Sequence, residues 1–69
     1  ILAEVVVAMA PALAREMARE GILVTSGILT SKADMVAEAL EASGLIVIER
    51  PAEDEWTAVI AQRRDAEAD

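Results

Sequence analysis

Hydrophobic residues fall into separate stretches along this chain, divided by short polar segments. Residues 2–18 are almost entirely apolar and long enough for a helix, in which Pro11 predicts either a kink near Met9–Ala10 or a new helix start at Pro11. Gly21 ends this segment, and Ile22–Ser26 then form a largely apolar run. Such a run is typical of a strand buried on both faces. The first third of the chain therefore predicts a helix followed by a buried strand.

The middle of the chain has the pattern of an amphipathic helix over residues 32–43. Ser31 is placed to act as its N-cap, with Asp34 three residues later at the acidic position of a capping box. Gly44 is the expected C-terminal stop. Four residues are predicted to face the core and three to face water: Met35, Val36, Ala39 and Leu40 inside, and Lys32, Glu38 and Glu41 outside.

Two further strands are predicted at Leu45–Arg50 and Glu55–Arg63, joined by a turn at residues 51–54. The short turn favours an antiparallel hairpin, whereas the first two predicted strands flank a helix and should be parallel. The predicted order is helix, strand, helix, strand, strand, which is an α/β architecture with an antiparallel last strand. Residues 65–69 are highly charged and are predicted to form a frayed tail.

Composition excludes several functional classes. The chain has 69 residues, no cysteine, no histidine and a net charge of −7. Without these two residue types it lacks thiolate and imidazole metal ligands and the commonest general base, and we predict no metal site. The acidic cluster Glu53, Asp54 and Glu55 is interpreted as a solvated turn. With no basic patch, we expect no nucleic-acid partner. No targeting signal or membrane span is evident, so a cytoplasmic location is expected.

The chain is too short for the amount of hydrophobic sequence that it contains. A strand buried on both faces needs two covering layers, and 69 residues are too few to supply them. Hydrophobic residues make up 55% of the chain, and its first residue is Ile rather than Met. We therefore expect a fragment of a larger α/β domain, with exposed apolar surface that makes it a homo-oligomer.

Several short motifs resemble the PrmA family. These are Ile1-Leu2-Ala3-Glu4, Leu13-Ala14-Arg15, Ser26-Gly27-Ile28-Leu29, Glu55-Trp56 and Ile60-Ala61-Gln62-Arg63. Members of this family are class I S-adenosylmethionine-dependent methyltransferases that methylate amino groups of a large-subunit ribosomal protein. The resemblance implies that residues 1–64 are the C-terminal half of a Rossmann-like methyltransferase domain. In that fold the antiparallel last strand is inserted between the two strands that precede it.

The chain also departs from the family pattern at two places. Ala18-Arg19-Glu20-Gly21 stands where the family has Lys-Pro-Gly-Gly, and Leu45 stands where an aromatic residue often follows the glycine.

The same resemblance implies where the chemistry lies. The S-adenosylmethionine site would be upstream of this sequence, with Ile1 and Leu2 adjacent to the missing motif. Ser26 and Gly27, at the carboxyl end of their strand, and Trp56 would border the substrate pocket. Strand termination and packing are the alternative roles for these three residues. We assign no catalytic residue, and we expect the chain alone to bind no cofactor and to be inactive, whereas its parent enzyme would use S-adenosylmethionine on a ribosomal protein.

Two other interpretations remain open at this stage. The chain could be a stand-alone small α/β module for interaction or oligomerisation, with its apolar surface as the interface. Alternatively, residues 1–18 could form a helix on a membrane surface. Glu4, Arg15 and the lack of a basic face argue against that second possibility.

Overall fold

The computed structural model describes residues 3–65. Two helices and a small sheet follow the predicted order, with one additional short strand. The elements are α1 (Ala3–Glu16), β1 (Ile22–Leu29), a 3₁₀ turn (Thr30–Lys32), α2 (Ala33–Ala42), β2 (Leu45–Glu49), β3 (Ala52–Glu53) and β4 (Trp56–Arg63). Ile1, Leu2 and residues 66–69 of the predicted tail lie outside the described residues.

Strand β4 lies in the middle of the sheet, between β1 and β2, and is antiparallel to both. Since β1 and β2 each run opposite to β4, they are parallel to one another, as expected for two strands joined through α2. Val24 of β1 lies opposite Ile60, and Ile46 of β2 lies opposite Gln62. The α/β class with an inserted antiparallel last strand is therefore confirmed.

Both helices pack on one face of this sheet and against each other. The core between helices and sheet contains the largest fully buried side chains of the described residues: Val6, Ile28, Val36, Leu40, Leu45 and Val59. The other face carries exposed apolar side chains on β1 and β4, namely Ile22, Val24, Leu29 and Trp56. In the described part of the chain, the sheet is thus covered on one face.

Helix α1 continues through Pro11, so the expected alternative of a new helix start at that residue is wrong. Pro11 itself is exposed, while Val6 and Ala10 are almost completely buried against the core. Packing of this buried face holds the helix together across the hydrogen bond that proline cannot make to Val7. At 14 residues, α1 is too short to span a membrane, and no helix in residues 3–65 is long and apolar enough to do so.

The predicted N-cap at Ser31 is also wrong. The N-cap of α2 is Lys32, without a side-chain capping bond, and Ser31 lies inside the preceding 3₁₀ turn. Thr30 explains this start, because its N–H donates to the Glu55 carbonyl at 2.7 Å and its hydroxyl hydrogen-bonds the Thr57 hydroxyl at 2.8 Å. The end of β1 is thereby fastened to β4, and the chain turns at once into 3₁₀ geometry. Ser31 therefore lies one residue before the N-cap position, inside the 3₁₀ turn.

Candidate functional site

The sheet face without helices carries an open groove of about 460 Å³ in which the three predicted pocket residues come together. Its lining residues come from β1, β3, β4 and the segment before β3: Ser26, Gly27, Pro51, Ala52, Glu53, Trp56, Thr57 and Ala58. Sequence reasoning placed Ser26, Gly27 and Trp56 at one site, and the structure brings these residues around a single groove.

A bulge in β1 builds the first wall of the groove. Regular pairing with β4 runs to Thr25 opposite Val59 and resumes at Ile28 opposite Thr57, so Ser26 and Gly27 share the space opposite a single β4 residue. Gly27 has a φ of 72°, in the left-handed region that glycine adopts without steric cost. The predicted position of these two residues at the strand's carboxyl end is therefore wrong, because β1 continues to Leu29.

Thr25 sets where the bulge begins. Its hydroxyl is buried and donates to the Val59 carbonyl at 3.0 Å. A buried hydroxyl that already has its acceptor keeps the strand in register up to this residue. The irregular backbone is consequently confined to Ser26 and Gly27, which are both exposed.

The second wall is the short segment from Pro51 to Glu53. The Ala58 N–H donates to the Pro51 carbonyl at 2.9 Å, and Glu53 pairs with Trp56 across a two-residue turn. Asp54 in this turn has a φ of 56°, a left-handed conformation that aspartate tolerates better than most residues. Ala58, between the two walls, is too small to fill the space between them, which leaves the groove open.

Trp56 stands at one end of the groove. Its register partners are Leu29 on β1 and Glu53 on β3, and its side chain is on the face away from the helices. The residue is 51% exposed and is the only aromatic residue of the chain. A half-exposed indole presents a flat surface suited to an apolar group or to a cation.

The groove supplies little for acid–base chemistry. Among the described residues that line it, Glu53 alone has an ionisable side chain. A shifted pKa occurs outside this lining, at Glu4 in the first turn of α1. There a hydrogen bond from its own backbone, followed by the Lys32 ammonium 3.4 Å away, holds the pKa of the carboxyl below its usual value. The groove can therefore border and orient a ligand, but it offers no pair of groups for proton relay.

Sequence reasoning missed the role of two consecutive arginines at the end of β4. Arg63 donates to the Met17 carbonyl at 3.1 Å and forms an ion pair with Asp65, while Arg64 donates to the Glu41 carbonyl at 3.0 Å. They reach carbonyls at or just past the carboxyl ends of both helices, where a positive charge is favoured. The two adjacent basic residues are visible in the sequence. Which carbonyls they reach could not be predicted, because this depends on how β4 is inserted in the sheet.

Comparison with known proteins gives consistent matches. The family model described as ribosomal protein L11 methyltransferase (PrmA) matches residues 1–64. The ribosomal protein L11 methyltransferase of Pelotomaculum thermopropionicum is 47% identical over 62 residues, covering 90% of this chain and 20% of that protein. The enzyme of the same name from Agathobacter rectalis is 43% identical over 63 residues, covering 91% and 20%. The chain thus spans about a fifth of the length of these curated relatives.

A solved structure shows the same fold. The crystal structure of ribosomal protein L11 methylase from Lactobacillus delbrueckii subsp. bulgaricus superposes with a TM-score of 0.85 at 22% identity. The match covers 93% of this chain and 33% of that one.

Proposed function

This chain belongs to the ribosomal protein L11 methyltransferase (PrmA) family, and from that membership we propose that it is the C-terminal segment of an S-adenosylmethionine-dependent enzyme that methylates amino groups of a ribosomal protein. The observation that carries the proposal is the family match over residues 1–64. The inserted antiparallel strand β4 supports it. A ribosomal protein substrate would place this parent enzyme in the cytoplasm.

The proposal places the cofactor site outside the described residues. Binding S-adenosylmethionine at a switch point of an α/β sheet calls for a glycine-rich loop between a strand and a helix. Here β1 passes into α2 through Thr30–Lys32, which contains no glycine. The proposal therefore gives the isolated chain neither cofactor binding nor a catalytic residue.

In the parent enzyme the groove on β1 and β4 would border the substrate pocket. Methyl transfer to an amine requires a neutral amine aligned with the methyl group in a site from which water is excluded. Trp56 would supply a flat apolar wall, and the bulge at Ser26 and Gly27 would bring exposed backbone close to the substrate. These residues position the substrate rather than take part in the bond changes.

A hybrid enzyme tests this proposal. The matching segment of the Pelotomaculum thermopropionicum enzyme is replaced with residues 1–64 of this chain, and methylation of purified ribosomal protein L11 is measured with radiolabelled S-adenosylmethionine. Activity within about tenfold of the unmodified enzyme is expected, since this corresponds to at most about 1.4 kcal/mol of misalignment. A soluble, folded hybrid that binds S-adenosylmethionine but transfers no methyl group would refute the proposal.

A stand-alone interaction module is the alternative function, and the open sheet face favours it. Ile22, Val24 and Leu29 are 53%, 60% and 40% exposed there, alongside Trp56. Such a patch measures on the order of a few hundred Å². Two copies joined through it would bury less than the roughly 1,200 Å² at which specific interfaces begin, and a charge of −7 on each copy opposes the contact. We therefore expect a weak homo-oligomer whose mass in light scattering rises with concentration and with salt.

A further inference from the structure

Glu53 occupies a special position among the acidic residues of the β3–β4 turn. It lines the groove, whereas Asp54 and Glu55 are not among the lining residues. Glu53 is also the direct register partner of Trp56. Residues directly opposite each other on antiparallel strands have Cβ atoms about 5 Å apart and project from the same face of the sheet. The carboxylate and the indole are therefore held side by side at one end of the groove.

The surroundings of this pair suit a cation on a long apolar stem. Trp56 and Glu53 are both exposed, and Leu29 flanks the indole on its other side. Beyond Trp56 the groove is formed by small or non-ionisable residues, including Gly27 and Ala58. An ammonium group gains from an indole face and a carboxylate together, and its alkyl stem can lie along the apolar surface.

We infer that Glu53 and Trp56 form a capture site for the protonated amine of a lysine side chain at the rim of the groove. The inference deepens the proposed function, on which it rests, by assigning a substrate-recognition role to Glu53. The carboxylate favours the charged ammonium, whereas methyl transfer requires the neutral amine. Glu53 is therefore a positioning residue for the arriving substrate and takes no part in the transfer step. Its removal should raise KM and leave kcat unchanged.

Direct binding can be read from Trp56, because the chain has no other tryptophan and no tyrosine. The full chain is titrated at low salt with N-acetyl-lysine methylamide, and in parallel with N-acetyl-norleucine methylamide, which has a similar stem but no charge. We expect the lysine compound alone to change the fluorescence. Glu53→Gln should weaken its binding by about threefold, the size of an exposed charge contact.

Asp54→Asn is the matched control. It removes the same charge one residue away, and asparagine keeps the left-handed backbone conformation at φ 56°. Its affinity for the lysine compound should stay close to that of the unmodified chain. The inference would be overturned if both compounds changed the fluorescence of Trp56 equally. It would also be overturned if Glu53→Gln and Asp54→Asn lost the same affinity for the lysine compound.

The hybrid enzyme separates this inference from the proposed function. In an active hybrid, Glu53→Gln should raise the KM for ribosomal protein L11 by about threefold, and the difference should shrink at high salt. An active hybrid with an unchanged KM in this variant contradicts the capture site and leaves the proposed function standing. An inactive hybrid alongside intact lysine binding by the chain contradicts the proposed function and leaves the capture site standing.

Discussion

Replacing Gly44 with alanine should destabilise the chain through the backbone alone. Gly44 follows α2 with a φ of 96°, which L-residues with a Cβ adopt at a cost. Its backbone is held on both sides, because its N–H donates to the Glu41 carbonyl at 3.1 Å and its carbonyl accepts from the Arg64 N–H at 3.0 Å. The residue therefore cannot move to an ordinary conformation without breaking the bonds that end α2 and fix β4.

The magnitude follows from the space around the residue. A Cβ added at Gly44 would meet no atom within 4 Å, so steric overlap with neighbours contributes nothing. The left-handed conformation costs about 1–2 kcal/mol, and alanine recovers about 0.4–1 kcal/mol by restricting the unfolded chain. We expect a net loss of about 1 kcal/mol. A single core of this size provides only about 3–5 kcal/mol in total, so the loss should be easy to measure.

Urea denaturation followed by far-UV circular dichroism is the assay, and Gly44→Asn is the control. Asparagine tolerates the left-handed region better than alanine, so its midpoint should lie between those of the unmodified chain and Gly44→Ala. The reasoning is refuted if Gly44→Ala is as stable as the unmodified chain. It is equally refuted if Gly44→Asn is less stable than Gly44→Ala, because the loss would then depend on side-chain size.

Four further outcomes are expected. Ser31→Ala should change stability by less than about 0.5 kcal/mol, because Ser31 caps no helix; a loss near 1 kcal/mol in urea denaturation would restore it as a cap. Leu40→Ala should cost about 2–5 kcal/mol, since this side chain is fully buried, and a folded variant with an unchanged midpoint would contradict the described core. Calorimetric titration of the isolated chain with S-adenosylmethionine should show no binding, and low-micromolar affinity would contradict the proposal that the cofactor site lies elsewhere. NMR titration should find the pKa of Glu4 below its usual value, and Lys32→Met should raise it only in part because the backbone hydrogen bond, the largest single cause, remains. A lowered folded-state pKa means that this contribution to stability is present above the unfolded-state pKa and is lost as pH falls through the folded-state value. No shift at Glu4 would contradict both contacts.

Glu53 shows what a short-range pattern in the sequence leaves out. In the sequence Glu53 is one of three adjacent acidic residues, which together suggest either a cation-binding site or a solvated turn. In the structure, pairing of β3 with β4 separates it from its neighbours and sets it beside Trp56. The relevant partner is three residues away and across a turn, so it could be recognised only once the turn geometry was known.

Local patterns in the sequence were sufficient for the order and type of the main elements. The predicted last strand is observed as β4, in which Thr57, Val59 and Ala61 are buried and alternate with less buried residues. Gly44 marks the end of α2 correctly because a left-handed residue after a helix is a local requirement. Resemblance to a known family supplied the insertion of β4 and the choice of Ser26, Gly27 and Trp56, which periodicity alone does not provide.

Tertiary contacts decided the rest. Burial of Val6 and Ala10 holds α1 together through Pro11. The hydrogen bonds of Thr30 to Glu55 and Thr57 remove Ser31 from the capping position, and the register between β1 and β4 produces the bulge. Each of these outcomes pairs residues far apart in the chain. The packing of α1 overrides a local cost of about 3 kcal/mol for a proline inside a helix, and the hydrogen bonds of Thr30 override a capping preference of about 1 kcal/mol. The groove itself is such an outcome, because its walls meet only where β4 brings β1 and β3 to the same face of the sheet.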